Sequence, residues 1–210
     1  MLTKSDFLLY FDAPMHLWAK SHNQLTKTSP SIYDQHLMKQ GYEVEKVAKI
    51  YLEKYILPTY KNAELLWQTT YTSGQYQTRA DGVIHELDTD VYHLYEIKSS
   101  TSEKKEHIPD ATFQSIVIGR TINLKTIHLV LLNDEYVRGE ELDIEQLFSA
   151  PDVTNDVSEM TLDILTKMRQ ALEVIDAKTS TDIVNCLNPK TCPCLDLCHP
   201  NLPRCHPADH

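Results

Sequence analysis

The sequence predicts an α/β fold: a mixed sheet of four or five strands with helices on both sides, followed by a small cysteine-rich C-terminal appendage. Three observations carry this prediction. Two β-rich runs, 77–85 and 91–98, flank the turn-prone Leu87-Asp88-Thr89-Asp90, and the continuous apolar run 126–132 follows them. Apolar residues recur at three- and four-residue steps over 31–56, 108–122 and 157–177. All five cysteines fall in the last 25 residues.

A chain of 210 residues suffices for one α/β domain with a full core and a small addition. We expect the domain to span 1–180 and the cysteine-rich tail 181–210. Hydrophobic content of 41% and charged content of 24% belong to the soluble globular class. No apolar run approaches the ~20 residues of a membrane span. Met1 to Asp6 leads into a segment with charges inside it rather than a secretory signal, so the chain reads as cytoplasmic with no membrane partner. A net charge of −10 weighs against a broad phosphate-binding surface. Between Asn133 and Asp163, however, stand ten acidic residues and one arginine, so the rest is close to neutral and a local basic surface stays open. The acidic stretch itself reads as a solvated face.

Taken in order, Thr3 or Ser5 is an N-cap for a short helix that Pro14 breaks, with Leu17 and Trp18 packing inward from a second. Tyr33, Leu37, Val44, Val47, Ala48, Tyr51 and Leu52 make 31–56 the most helical stretch, ending at Pro58, with a break expected at Gly41. Leu65–Thr72 is a strand, and Ser73-Gly74 turns it into a strand over 75–85. A polar loop after Lys98 leads to an amphipathic helix over 108–122, the buried strand 126–132, and a last helix over 157–177.

The hairpin carries the chemistry. A loop centred between Asp88 and Thr89 sets Asp81 directly opposite Glu96, with Cβ atoms roughly 4.5–5.5 Å apart. Period-two alternation puts Lys98 on the same face as Glu96. Two partly buried carboxylates face to face repel unless a cation neutralises them or one holds a proton, and a divalent metal meets that need.

Arg-Ala-Asp-Gly ending at Gly82, followed by Tyr-Glu-Ile-Lys-Ser-Ser-Thr ending at Thr101, resembles the core of the PD-(D/E)XK nuclease superfamily in its RecB-like branch. Lys-Ser-Asp-Phe at 4–7, Pro-x-x-Leu-Trp at 14–18 and Asn-Asp-Glu-Tyr-Val-Arg-Gly-Glu-Glu-Leu-Asp at 133–143 extend the likeness over nearly the whole chain, towards CRISPR-associated exonucleases and long bacterial RecB-like proteins. The resemblance implies a restriction-endonuclease-like fold and metal-dependent hydrolysis of DNA, as in an exonuclease of repair, recombination or defence. Asp81, Glu96 and Lys98 match the signature, and Gln114 matches the Gln that follows it. Asp81, Glu96, the Ile97 carbonyl and Glu45, which follows Gly41 at the family's spacing, would hold Mg2+ or Mn2+. Lys98 would orient or deprotonate the attacking water, a role suited to an ammonium whose pKa is lowered by its neighbours. The long relatives continue into a further domain, so a further domain or protein partner is also implied; oligomeric state stays open.

Five cysteines interleaved with His199 and His206 and five prolines cannot build a core, and a bound metal would supply the missing stability. In the CRISPR-associated exonucleases one N-terminal and three C-terminal cysteines hold an iron–sulfur cluster. Cys186, Cys192 and Cys198 resemble that trio, while the N-terminal position is Ala13. Cys205, Cys194 or a histidine is then the fourth ligand, or the site holds zinc. Two rival readings remain: a catalytically inactive nucleic-acid adaptor using the tail as a finger, and an interaction module using the acidic 133–163 surface.

Overall fold

The computed structural model describes residues 1–25, 31–183 and 192–201. Its elements run β1 (Leu2–Thr3), α1 (Lys4–Asp12), α2 (Pro14–Ser21), α3 (Ile32–Tyr51), β2 (Ala63–Trp67), β3 (Thr70–Ser73), β4 (Tyr76–Arg79), β5 (Gly82–Glu86), β6 (Val91–Ile97), α4 (His107–Gly119), β7 (Leu124–Leu132), α5 (Ile144–Leu147), β8 (Phe148–Ser149), α6 (Thr154–Asp176) and α7 (Leu195–Cys198). Two compact units result: Met1–Ser29 with Leu165–His210, and Pro30–Ile164. No helix among the described residues is long and apolar enough to cross a membrane.

In the first unit Thr3 caps α1 through a capping box: its side chain accepts from the Asp6 N–H, and Asp6 Oδ2 accepts from the Thr3 N–H at 3.1 Å. Pro14 opens α2, where its missing N–H costs nothing. Lys20 reaches back to Asp6 Oδ1 at 2.7 Å. Burial alone would raise the Asp6 carboxyl, but hydrogen bonds from Lys20 and Thr3 outweigh it and hold the group below its ordinary value. A depressed carboxylate contributes stability above its unfolded pKa and loses it as pH falls through the folded one. Asp6→Ala should therefore cost about 1 kcal/mol at neutral pH, and that difference should vanish in acid, below the ordinary Asp range, when unfolding is followed against pH.

The second unit is built on a sheet of order β2-β5-β6-β7-β8, in which β6 and β7 are parallel and the other pairs antiparallel. Its core gathers Ala48, Tyr51 and Leu52 from the helical segment against Ile84, Tyr95, Val130 and Phe148. The 82–97 hairpin has the expected register, Gly82 opposite Tyr95 and Glu86 opposite Val91, across a four-residue loop. β3 and β4 form a separate antiparallel hairpin turned by Gly74 at φ +60°.

Three sequence expectations change. The helix does not break at Gly41: α3 runs through it and ends in a π-turn over Leu52–Ile56, ahead of Pro58. A β-carbon at Gly41 would point into open space, so the helix absorbs a propensity cost of about 1 kcal/mol without a clash. The strand expected over 65–72 is two strands, because Gln68 at φ +51° takes the chain out of one sheet and into the other. The strand over 75–85 divides likewise at Ala80 and Asp81. Finally, α4 is not amphipathic in its surroundings. It packs against β7 and also against β3 and β4, so its residues from His107 to Ile118 are buried except Ser115.

Candidate active site

The end of the β5–β6 hairpin is where the chemistry gathers. Asp81 stands just before Gly82 and Glu96 just after Tyr95, so one more step of the register sets them opposite each other. A β-carbon at Gly82 would lie 2.8 Å from Leu52 Cδ1, so any larger residue here would have to displace that buried side chain. Asp81 is fixed twice: Oδ2 accepts from the Ile97 N–H at 3.0 Å, and its carbonyl accepts from the Gln68 N–H at 2.9 Å. Glu96, 1% exposed, lies on β6 between β5 and β7.

Lys98 continues β6, its N–H donating to the Val130 carbonyl at 2.9 Å. Its ammonium donates to Glu96 Oε1 at 2.9 Å and to Asp110 Oδ2 on α4. Gln114, one helical turn on and fully buried, donates from Nε2 to Asp110 Oδ1 at 3.2 Å and accepts from Thr78 Oγ1 at 3.3 Å. A buried polar chain thus runs Glu96, Lys98, Asp110, Gln114, Thr78 across three elements. Burial alone would lower the Lys98 pKa, but the Glu96 and Asp110 carboxylates reverse this and raise it above the ordinary lysine value. The shift runs opposite to the lowering that a proton-accepting lysine needs, because two carboxylates favour the charged form. Burial, and then the Lys98 charge, push His107 down.

Glu45 on α3 is joined to this group through Gln68, whose side chain donates to Glu45 Oε1 while its main chain holds Asp81. Among the described residues, no three His, Cys, Asp or Glu side chains form a group that could hold a metal. The donors that the hairpin offers are two carboxylates and the Ile97 carbonyl. All are hard oxygens, which suits magnesium or manganese better than a soft metal.

Asp110, Thr78 and Gln68 are absent from the sequence-derived site. Asp110 carried a readable signal: a carboxylate four residues before Gln114 on an otherwise apolar helix faces the same way and invites a buried pair. Gln68 carried none.

Of the tail, Cys192, Cys194 and Cys198 lie within the described residues, whereas Cys186 and Cys205 lie outside them. Cys194 and Cys198 are buried with Met15, Trp18 and Ala19 of α2, with Cys192 packed beside them. Cys192 Sγ lies 3.6 Å from His16 Nε2, and His16 Nδ1 is 2.9 Å from Asp12 Oδ2.

Among solved structures, an alkaline exonuclease from Laribacter hongkongensis (LHK-Exo) aligns with a TM-score of 0.51 at 12% identity, over 83% of this chain and 89% of its own. A protein from Eubacterium rectale, provisionally described as an exonuclease, aligns with a TM-score of 0.52 at 10% identity, over 98% of this chain and 90% of its own. The chain shares the mixed α/β fold of these two structures. No family model and no curated protein matches the sequence. At 10–12% identity the likeness is one of fold alone. Within this fold Asp81, Glu96 and Lys98 occupy the end of the central hairpin, with α4 supplying a second carboxylate to the lysine.

Proposed function

We propose that this chain is a divalent-metal-dependent nuclease that hydrolyses phosphodiester bonds in DNA, acting as an exonuclease. The observation that carries the reading is the hairpin end itself: Asp81 opposite Glu96, and Lys98 ion-paired to Glu96 and to Asp110. Asp81, Glu96 and the Ile97 carbonyl would hold magnesium or manganese. A bound metal of this kind lowers the pKa of a coordinated water and offsets negative charge on the phosphate. Lys98, fixed by two carboxylates, presents a positive charge to the phosphate oxygens and orients the attacking water. Asp110 and Gln114 are positioning residues that hold the ammonium in place, and Glu45 acts at one remove through Gln68.

DNA incubated with the protein should lose nucleotides only with Mg2+ or Mn2+ present, and chelation should stop the reaction. Asp81→Asn keeps an oxygen for the Ile97 N–H, so it should leave the thermal midpoint in place while lowering kcat about a hundredfold or more. A wild type that binds DNA but never cleaves it would instead favour an adaptor.

We further propose that the tail holds a metal centre that ties it to α2, as an iron–sulfur cluster or as zinc. Supporting this is the contact of Cys192 with His16, whose other ring nitrogen meets Asp12, the carboxylate–histidine arrangement common behind metal ligands. His16 would then take the part of the missing N-terminal thiol. Iron, sulfide and zinc analysis of protein purified without oxygen tests it, and metal-free protein whose stability is unaffected by Cys192→Ser would refute it.

A further inference from the structure

Beside the candidate active site lies a cavity of about 450 Å³ lined by Tyr42, Glu45, Lys46, Lys49, Trp67, Gln68 and Arg79, of which the proposed hydrolysis calls only on Glu45 and Gln68. It is open to solvent-borne ligands of nucleotide size. Three of its residues are cations and one is an acid, in a chain whose net charge is −10. Lys46 and Arg79 are exposed and make no ion pair with any described residue, so neither charge is committed within the fold. Lys49 lies over the Trp67 ring at 5.8 Å and pairs with Glu53 Oε1 at 3.5 Å, so it braces the indole while its charge is met within α3 and the turn that follows it. Tyr42 is 60% exposed, and its ring stacks on no other ring among the described residues. The one acid, Glu45, is held by the Gln68 amide, and the same Gln68 binds Asp81 through its main chain. The cavity therefore adjoins the candidate catalytic carboxylates through a single residue.

Uncommitted cations next to an open aromatic face are the two halves of a single-strand site: the cations take phosphates, and a base stacks only when it is unpaired. We propose that this cavity receives an unpaired nucleotide of the DNA strand bound at Asp81 and Glu96, with Lys46 and Arg79 on its phosphates and Tyr42 against its base. The inference rests on the nuclease reading for its location and adds to it a preference for single-stranded DNA.

The test is fluorescence anisotropy in EDTA, which blocks cleavage, with labelled oligothymidine of about 12 nucleotides and a duplex of equal length. Wild type should prefer the single strand. Tyr42→Ala should weaken single-strand binding about fivefold or more and leave duplex binding unchanged. Lys46→Ala with Arg79→Ala should weaken it roughly tenfold and flatten the log–log salt dependence by about 0.7 for each lost contact. All three positions are exposed, so the variants should melt with the wild type. Wild-type affinity in both variants, or equal losses on single strand and duplex in Tyr42→Ala, would overturn the proposal, as would a wild type that binds no oligonucleotide. If DNA is cut with metal but the variants bind normally, the cavity assignment falls and hydrolysis stands. If binding depends on the cavity yet no metal supports cleavage, hydrolysis falls and the cavity stands.

Discussion

Lys98→Met is expected to lose about 3–5 kcal/mol of stability as well as DNA hydrolysis. The side chain is 16% exposed, and the two carboxylates it bridges, on Glu96 and Asp110, are 2% and 3% exposed. Removing the ammonium leaves two buried negative charges close together, and breaking a buried pair from one side typically costs about this much. The catalytic loss should be about a hundredfold or more, since the group offered to the phosphate is gone. Denaturant unfolding and single-turnover cleavage measure the two effects separately. Adding Asp110→Asn to Lys98→Met removes one of the stranded charges, so stability should recover in part while activity does not. A Lys98→Met protein as stable as wild type would mean that water, not the lysine, neutralises these carboxylates.

Phe113→Ala should be comparably costly, at about 3–5 kcal/mol. Phe113 is fully buried on α4, a helix enclosed by β7 and by β3 and β4, so the surroundings have little freedom to collapse into the gap. The residues on either side of this truncation matter to the site: Asp110 lies one turn before it, and Gln114 is its neighbour. Urea unfolding should show an earlier midpoint, and cleavage should fall through a lower kcat with KM little changed, because the helix holding Lys98 is loosened while the substrate surface is intact. A loss under 1 kcal/mol would mean that α4 can repack.

Much of this was legible in the sequence, for reasons that differ from residue to residue. The Asp81–Glu96 register could be read because it depends only on a loop of four residues and a period of two, both local. The capping box at Thr3 and Asp6 is local in the same way. Gln114 could be named but not understood. Its side chain looks solvent-facing on a helical wheel, and it is buried because β3 and β4 cover α4, a contact that no window of sequence reveals. The division of the 65–72 strand hinges on Gln68 adopting a positive φ, which is uncommon for Gln and has no local signature. The nearness of Lys98 to Glu96 follows from the same period of two, whereas Asp110 reaches the lysine from α4, outside any pattern that the hairpin carries.

The parallel pairing of β6 with β7 sets the order in which the candidate site assembles. Lys98 lies at the start of the crossover from Ile97 to Leu124, and Asp110 lies within it on α4. Parallel strands can pair only after such a crossover has closed, a non-local and comparatively slow event. The β5–β6 hairpin can form early, bringing Asp81 and Glu96 together, but the ammonium is locked between its two carboxylates only when α4 docks. A partly made chain thus holds acidic groups without an anchored cation, and the candidate site is assembled with the completed sheet rather than before it.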